Sequence, residues 1–224
     1  MLVAENLLLL VTDDASGRLC VPTDQLDPAL AGANLVELTM MGRVDLSGEG
    51  SAGKPGRLIV CDSSPAGDEV LDAALRIVLA RTGHRPSAVI RPLGRDLRRT
   101  LYERLAAAGA VRAERARVLG VFRVRRWPAQ DAGHAAEVRR LVTQALVQQA
   151  APDPGSAALI ALVHALKCEH KIVDPRLSGL SRRQLRARAE EIAQSSWTSQ
   201  ALRQMIDATT AAVKAAAAAS ASAG

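Results

Sequence analysis

Residues 94–128 constrain the local structure most, because the residue pattern changes abruptly in the middle of this segment. Leucines recur every four residues from Leu97 to Leu105, which places them on one face of a helix. Gly109 then ends the helix, since glycine readily adopts the left-handed conformation of a C-terminal cap. The stretch 114–126 contains valines and a phenylalanine between charged residues, a composition typical of strands. The segment is therefore predicted to form a helix, a tight stop and a β-hairpin.

Arginine is concentrated in the same part of the chain. Positions 81–126 contain thirteen arginines and three acidic residues, an excess of ten positive charges. The whole chain carries only +6, so the remaining residues sum to −4. A basic field confined to one segment favours a polyanionic partner, either nucleic acid or an anionic membrane. The alternative interpretation of such a run is an ordinary solvated face.

The composition predicts a mainly α fold. Hydrophobic residues make up 48% of the chain but aromatic residues only 2%, so alanine, leucine and valine must fill the core between closely packed helices. We predict a single helical domain over residues 1–214, followed by a low-complexity Ala/Ser tail, 215–224, that frays. The predicted helices are 2–12, 27–41, 68–81, 97–108, 131–149, 156–167, 181–195 and 197–219, with 27–41 and 156–167 central and buried.

Small β elements complete the prediction. The segments 43–46 and 57–61 are expected to pair across a glycine-rich loop, and 19–21 is a candidate short strand. The second hairpin, 114–126, is expected to be apolar and to protrude. The segment 86–94 is predicted to be too short and broken for a clean helix, because Pro92 interrupts it.

The cysteines and the apolar runs bear on the compartment. Cys20, Cys61 and Cys168 are odd in number and far apart, which indicates buried thiols in a reducing compartment. The N-terminal stretch lacks the basic region of a secretory signal. No stretch approaches the roughly 20 apolar residues of a membrane-spanning helix. We therefore expect a cytoplasmic protein, at most peripheral to a membrane.

The residues contain no enzyme motif, neither a phosphate-binding glycine loop nor a zinc-protease or paired-cysteine signature. His164 lies in an apolar helix and is more typical of a core histidine bonded to a carbonyl. His164 and Cys168 are spaced as neighbours on a helix, but two ligands without a third do not make a zinc site. The prediction is a protein without enzymatic activity, cofactor or metal.

Two functions remain open for the basic segment. A winged-helix protein has a basic helix followed by a two-stranded wing and binds DNA through phosphate and groove contacts. The absence of a clear helix before Arg95 makes nucleic acid the less favoured partner. In a membrane-binding protein, arginines would lie at headgroup level while the apolar hairpin tip enters the bilayer. The residues predicted to contact the membrane are Val118, Leu119, Val121 and Phe122.

The order of several short motifs resembles the Golgi phosphoprotein 3 family, and within it the bacterial, actinobacterial members. These motifs run nearly end to end and are specific mainly through their order and spacing. They are LLLLVTDD at 7–14 with Gly17-Arg18, LAGANLVEL at 30–38 with Gly42-Arg43-Val44, LDAAL at 71–75, Arg95-Asp96-Leu97-Arg98 with Gly109-Ala110-Val111, Trp127-Pro128, and ALIAL at 158–162 with His164-Ala165.

The resemblance implies a non-enzymatic, peripheral membrane protein that recognises phosphatidylinositol 4-phosphate. In the family two arginines spaced R-x-x-R on one helix hold the headgroup, and here they match Arg95 and Arg98. An apolar hairpin that inserts into the bilayer matches residues 114–126. Arg91 and Arg99, close to that pair, are expected to assist, since the planar guanidinium suits phosphate.

The earlier half of the family's site differs in this chain. The family's tryptophan and a further arginine fall on Pro22 and Ala31, which have neither an aromatic ring nor a charge. The expected function is therefore phosphoinositide or anionic-phospholipid binding with relaxed specificity, by an adaptor on the inner face of the cell membrane. An unidentified protein partner is compatible with such an adaptor.

Overall fold

A central buried helix organises the fold of this computed structural model, which describes residues 1–48, 54–118, 122–195, 197 and 199–222. This helix, α2 (Thr23–Met40), has ten buried residues and packs against α1 (Val3–Leu10) and the C-terminal α11 (Gln200–Ser222). Gly32 permits the close approach of α2 and α11, because a Cβ atom there would lie 2.1 Å from the Thr209 hydroxyl oxygen.

A second apolar helix, α7 (Pro154–Ala165), packs against α1, α2 and α11. Asp153 begins it by accepting hydrogen bonds from the amides of Gly155 and Ser156. The outer layer contains α6 (Gly133–Val147), the short α8 (Glu169–Ile172) and α9 (Pro175–Ser178), and α10 (Arg182–Ser195).

Two antiparallel two-stranded sheets complete the architecture. The first pairs β1 (Val44–Leu46) with β2 (Leu58–Val60), and the second pairs β3 (Glu114–Val118) with β4 (Phe122–Arg126). In the second sheet Glu114 lies opposite Arg126 and Val118 lies opposite Phe122. The predicted mainly α fold with small hairpins is confirmed, and both hairpins lie where the sequence places them.

Three helices lead to the second hairpin: α3 (Glu69–Leu79), α4 (Ser87–Gly94) and α5 (Leu97–Ala107). Gly109 has φ of +77°, as a glycine that ends a helix requires. The prediction that residues 86–94 are short and broken by Pro92 is wrong in one respect, because the eight-residue helix α4 continues through Pro92. Val89, Ile90 and Leu93 are buried beside α2, and this packing stabilises α4 although Pro92 lies within it.

The junction between α4 and α5 corrects a second expectation. Arg95 has extended backbone dihedrals and Asp96 is left-handed, with φ of +57°, so the helix begins only at Leu97. Arg95 and Arg98 therefore do not lie on one helix, although the resemblance implies that they do. The turn at Asp96 separates the directions in which the two arginines extend.

Smaller differences concern the ends of elements. Helix α2 begins four residues before the predicted position and includes Pro28, and the candidate strand 19–21 is a single bridge between Thr12 and Leu19. Helix α11 continues to Ser222, so most of the segment predicted to be a frayed tail is helical. Among the described residues, no helix has the length and apolar character needed to cross a membrane.

Candidate functional site

Four arginines from two elements converge on one cleft of about 890 Å³. Helix α5 contributes Arg98 and Arg99, and the end of strand β4 contributes Arg125 and Arg126. We call this site the arginine cleft. Its opposite wall comes from the segment before α2 and from the first turns of that helix. The cleft thus exists only because the hairpin folds back toward α5 and the start of α2.

A stacked aromatic pair forms the floor of the arginine cleft. The rings of Tyr102 and Trp127 are parallel within 2°, with their centroids 4.8 Å apart. Trp127 is only 8% exposed, so the pair is anchored in the core while its edge lines the cleft. Offset stacking of this kind adds to the stabilisation from burial alone.

Hydrogen bonds fix the orientation of the tyrosine. The Thr12 hydroxyl donates to the Leu8 carbonyl at 2.6 Å, so the Tyr102 hydroxyl donates to Thr12 across 2.7 Å. Burial raises the pKa of Tyr102 to about 12, although the hydrogen bond with Thr12 opposes this shift. Tyr102 is therefore a neutral structural group over the physiological pH range.

Gly17 allows the strand end to dock against the preceding loop. Its φ is +61°, and a Cβ atom at this position would lie 2.3 Å from the backbone nitrogen of Trp127. The Ala129 amide also donates to the Asp14 carbonyl at 2.8 Å. Only glycine combines this conformation with so close an approach of two backbones.

One arginine of the cleft already forms an ion pair with a carboxylate from α2. Arg98 Nε donates to Asp27 Oδ1 at 2.8 Å, and the two side chains are 34% and 37% exposed. Asp96 lies 3.7 Å from Arg99, at another part of the lining. Because the four arginines outnumber these two acids, the lining has a net positive charge, which suits an anion.

The other ion pairs of the cleft arginines are long and exposed. Arg99 lies 3.5 Å from Glu103, and Arg125 lies 3.8 Å from the same carboxylate. Exposed pairs of this kind contribute about 0–1 kcal/mol each. The guanidinium groups therefore remain available to an incoming anion at small energetic cost.

The predicted headgroup residues are divided among three places. Arg98 and Arg99 line the arginine cleft, whereas Arg95 lines a separate groove of about 640 Å³ between α3 and α5. Arg91 is exposed on α4 and does not line the arginine cleft. Of the R-x-x-R pair, only Arg98 therefore lies in the same cleft as Arg99.

The hairpin tip is described only in part. Val118 and Phe122 end the two strands opposite each other, and Leu119 and Val121 lie outside the described residues. Of the two positions at which the chain departs from the family's pattern, Pro22 lines the arginine cleft and Ala31 is completely buried.

The predicted headgroup residues do not include six charged or aromatic residues that line the cleft: Asp27, Asp96, Tyr102, Arg125, Arg126 and Trp127. One signal was available, because the chain contains a single tyrosine and only two tryptophans. Two of these rare rings follow or overlap the basic segment, and stacking them requires only that the hairpin return to α5. Asp27 gives no such signal, since a single acid at a helix start is common.

The described part of the chain offers no clear site for metal-dependent chemistry. No group of three or more His, Cys, Asp and Glu side chains is close enough there to hold a metal ion. The closest pairing of a histidine with an acid is between His164 and Glu169, 2.8 Å apart and mostly buried. The predicted carbonyl partner of His164 is thus replaced by a carboxylate.

Comparison with known protein families gives a match over nearly the whole chain. A family model described as Golgi phosphoprotein 3 (GPP34) matches residues 3–209, nearly the whole chain. No curated protein matches the sequence. The matched region contains every residue that lines the arginine cleft.

Proposed function

We propose, because this chain belongs to the Golgi phosphoprotein 3 family, that it is a non-enzymatic adaptor that binds an anionic phospholipid headgroup in the arginine cleft. Family membership fits a lipid-binding adaptor role, and the family is not a known enzyme family. The observation that carries the proposal is the convergence of four arginines from α5 and β4 on one cleft.

The chemistry of the cleft suits a phosphate on a small polar headgroup. Guanidinium groups from two directions can form bidentate hydrogen bonds with phosphate oxygens. Each charge-assisted hydrogen bond contributes about 1.5–3 kcal/mol. The aromatic floor fixes the backbones of α5 and of the end of β4, so the entropy lost on binding is mainly that of the arginine side chains.

The headgroup assignment differs from the sequence prediction in two residues. We retain Arg98 and Arg99 and replace Arg95 and Arg91 by Arg125 and Arg126, because the latter pair lines the same cleft. In this proposal Trp127 supplies the aromatic ring that Pro22 lacks. Ala31 is completely buried and adds no charge to the cleft, so this part of the family's site differs, which supports a phosphoinositide or other anionic phospholipid bound with relaxed specificity.

The second hairpin gives the proposed site an orientation. Arg125 and Arg126 lie at the C-terminal end of strand β4, whereas Phe122 and its partner Val118 lie at the opposite end of the same two-stranded sheet. We propose that Val118, Leu119, Val121 and Phe122 enter the bilayer while the arginines remain at headgroup level. The protein would then be peripheral on the inner face of the cell membrane.

Liposome co-sedimentation with matched variants tests the proposal. Vesicles containing phosphatidylinositol 4-phosphate, an equal charge of phosphatidylserine, or neutral lipid alone would be compared at two salt concentrations. Arg98→Ala with Arg125→Ala removes two charges from the cleft. Arg91→Ala with Arg95→Ala removes the same charge from the same basic segment outside it. We expect the cleft pair to lower affinity at least tenfold and the control pair to lower it less than threefold.

The outcomes separate a site from a general field. Equal loss in the two double variants would mean that the arginines act only as a basic surface, and the cleft assignment would be wrong. No binding of the unmodified protein to any vesicle, together with binding to a short DNA duplex, would favour the nucleic-acid alternative. Phe122→Asp tests the hairpin, because it should weaken vesicle binding and leave DNA binding nearly unchanged.

A further inference from the structure

We propose that a second cleft, separate from the arginine cleft, binds a phosphate-type anion. It has a volume of about 770 Å³, and its basic lining residues are Arg139, His170, Lys171, Arg176 and Arg182. We call it the second basic cleft. This inference does not depend on lipid binding in the arginine cleft, which uses a different set of arginines.

A single loop separates the two clefts. Gly17 and Leu19 line the arginine cleft, whereas Asp13, Asp14 and Cys20 line the second basic cleft. The basic residues of the second cleft come from elsewhere, namely from four elements in the C-terminal half of the chain, α6, α8, α9 and α10. Such a convergence of cations from four elements is not explained by a charged run along one solvated helix.

The acids of the second basic cleft already have partners within the protein. Asp13 Oδ1 accepts from the Ser16 amide at 2.8 Å and from its hydroxyl at 2.6 Å. Asp14 lies 3.3 Å from Arg139, and Asp174 accepts from the backbone amide of Arg176 at 2.9 Å. Only one of these three carboxylates is therefore paired with a cationic side chain of the cleft.

Three cations consequently lack a charged partner among the described residues. The guanidinium groups of Arg176 and Arg182 form no ion pair there, and both side chains are exposed. The Lys171 ammonium donates to the Cys20 carbonyl, which is a neutral acceptor. Their positive charges are thus not compensated by an acidic side chain among the described residues, and all three residues line the same cleft.

The position of Arg182 strengthens the field. Arg182 is the first residue of the 14-residue helix α10, whose N-terminus carries the positive end of the helix dipole. The Ser181 hydroxyl already caps this end by accepting from the Gln184 amide at 3.3 Å. Arg182 adds a further positive charge at this positive end of the helix, and an anion bound in the cleft would offset both.

His170 lines the second basic cleft together with Lys171 and Arg182. Burial lowers the pKa of His170, and the nearby charges of Arg182 and Lys171 lower it further, against a smaller opposing effect of Glu169. The imidazole is thus a neutral hydrogen-bond donor beside the cations near pH 7. Guanidinium, ammonium and imidazole groups together are typical ligands of a phosphate group.

Titration with inorganic phosphate tests the site, with chloride at equal ionic strength as the control. The chain has four histidines, so the ring signals of His170 can be assigned by nuclear magnetic resonance with the variant His170→Gln. We expect a saturable shift of the His170 ring signals with phosphate and none with chloride. Arg176→Ala with Arg182→Ala should abolish it, and circular dichroism would verify that this variant is folded.

A matched control removes the same charge from the same helix. Arg183 and Arg186 are exposed on α10 but do not line the second basic cleft, so Arg183→Ala with Arg186→Ala should preserve the shift. Arg98→Ala with Arg125→Ala should also preserve it, which separates this site from the arginine cleft. An equal loss in the α10 control, or no saturable shift, would overturn the proposal.

A second arm distinguishes a free phosphate from a lipid headgroup. Vesicles of phosphatidylcholine with and without phosphatidic acid would be sedimented with Arg98→Ala/Arg125→Ala protein. Binding that requires phosphatidic acid and falls at least fivefold on adding Arg176→Ala and Arg182→Ala supports the site and assigns a lipid source. A phosphate-specific shift without such vesicle binding supports the site and assigns a soluble phosphate.

Discussion

Helix α5 carries arginines in two contrasting environments, at its C-terminal end and along its first turn. Arg104 donates to Glu5 at 3.0 Å and forms a bidentate pair with Asp68 at 2.7 and 2.8 Å. Glu5 is only 4% exposed. In the arginine cleft, Arg98 has a single contact with a half-exposed acid, and Arg99 has only long, exposed pairs.

The difference indicates that the burial of its acidic partner decides whether an arginine stabilises the fold or remains available to bind an anion. Arg104 neutralises carboxylates that water cannot reach well, so it joins α1, α3 and α5. The arginines of the arginine cleft face solvent, so their charges remain available to bind an anion. Removing Arg104 should therefore lower the stability of the fold, whereas removing an arginine of the cleft should lower the affinity for an anion.

The largest expected effect concerns the floor of the arginine cleft. Trp127→Ala removes a buried ring stacked on Tyr102, and large-to-small changes of an aromatic core residue cost about 3–5 kcal/mol. Urea unfolding would measure this loss, with Trp127→Phe as a control that keeps most of the stacking. Arg98→Ala should change stability by less than about 1 kcal/mol. Similar losses in Trp127→Ala and Arg98→Ala would contradict the distinction between the buried aromatic floor and the exposed arginines of the cleft.

Arg104→Ala should have the next largest effect. It leaves the carboxylate of Glu5 buried without its cation, and breaking such a pair costs about 2–3 kcal/mol when one partner is partly exposed. Arg99→Ala is the matched control on the same helix and should cost less than about 0.5 kcal/mol. Equal urea midpoints for these two variants would show that the Arg104 network does not stabilise the fold.

Acid should weaken the same network. Burial raises the pKa of Asp68, but hydrogen bonds from Arg104 and from the amides of Leu71 and Val70 outweigh burial and leave the pKa below its ordinary 3.8. The stabilisation is therefore complete above about pH 4 and lost as pH falls through the lowered value. Unfolding curves at several pH values should show the difference between wild type and Arg104→Ala shrinking in acid. A constant difference down to pH 2 would exclude this linkage.

The smallest effect concerns the acid within the arginine cleft. Asp27→Asn removes the carboxylate that competes with a phosphate for Arg98, and an exposed pair contributes about 0.2–1 kcal/mol, which corresponds to roughly a one- to fivefold gain in affinity. Sedimentation with anionic vesicles would measure it. A loss of affinity would instead show that Asp27 orders Arg98 for binding, and Ser87→Ala, away from the cleft, would control for nonspecific changes.

The segments predicted most accurately have strong local patterns. The leucines of α5, the glycine after it and the alternating charged and apolar residues of the second hairpin specify their structures through nearest neighbours along the chain. The continuity of helix α4 was not predicted, because Pro92 opposes a helix locally while burial of Val89 and Ile90 stabilises one. Local propensity is a weak prior, and tertiary packing overrides it.

The sequence by itself determined the helical class, both hairpins and the concentration of positive charge, because these depend on composition, periodicity and glycine placement. Only the tertiary structure decided which arginines share a cleft. The left-handed residue Asp96 sends Arg95 toward one groove and Arg98 toward another, and the return of β4 brings Arg125 beside Arg98. Contacts between distant segments depend on how helices and hairpins pack, and no pattern of neighbouring residues encodes that geometry.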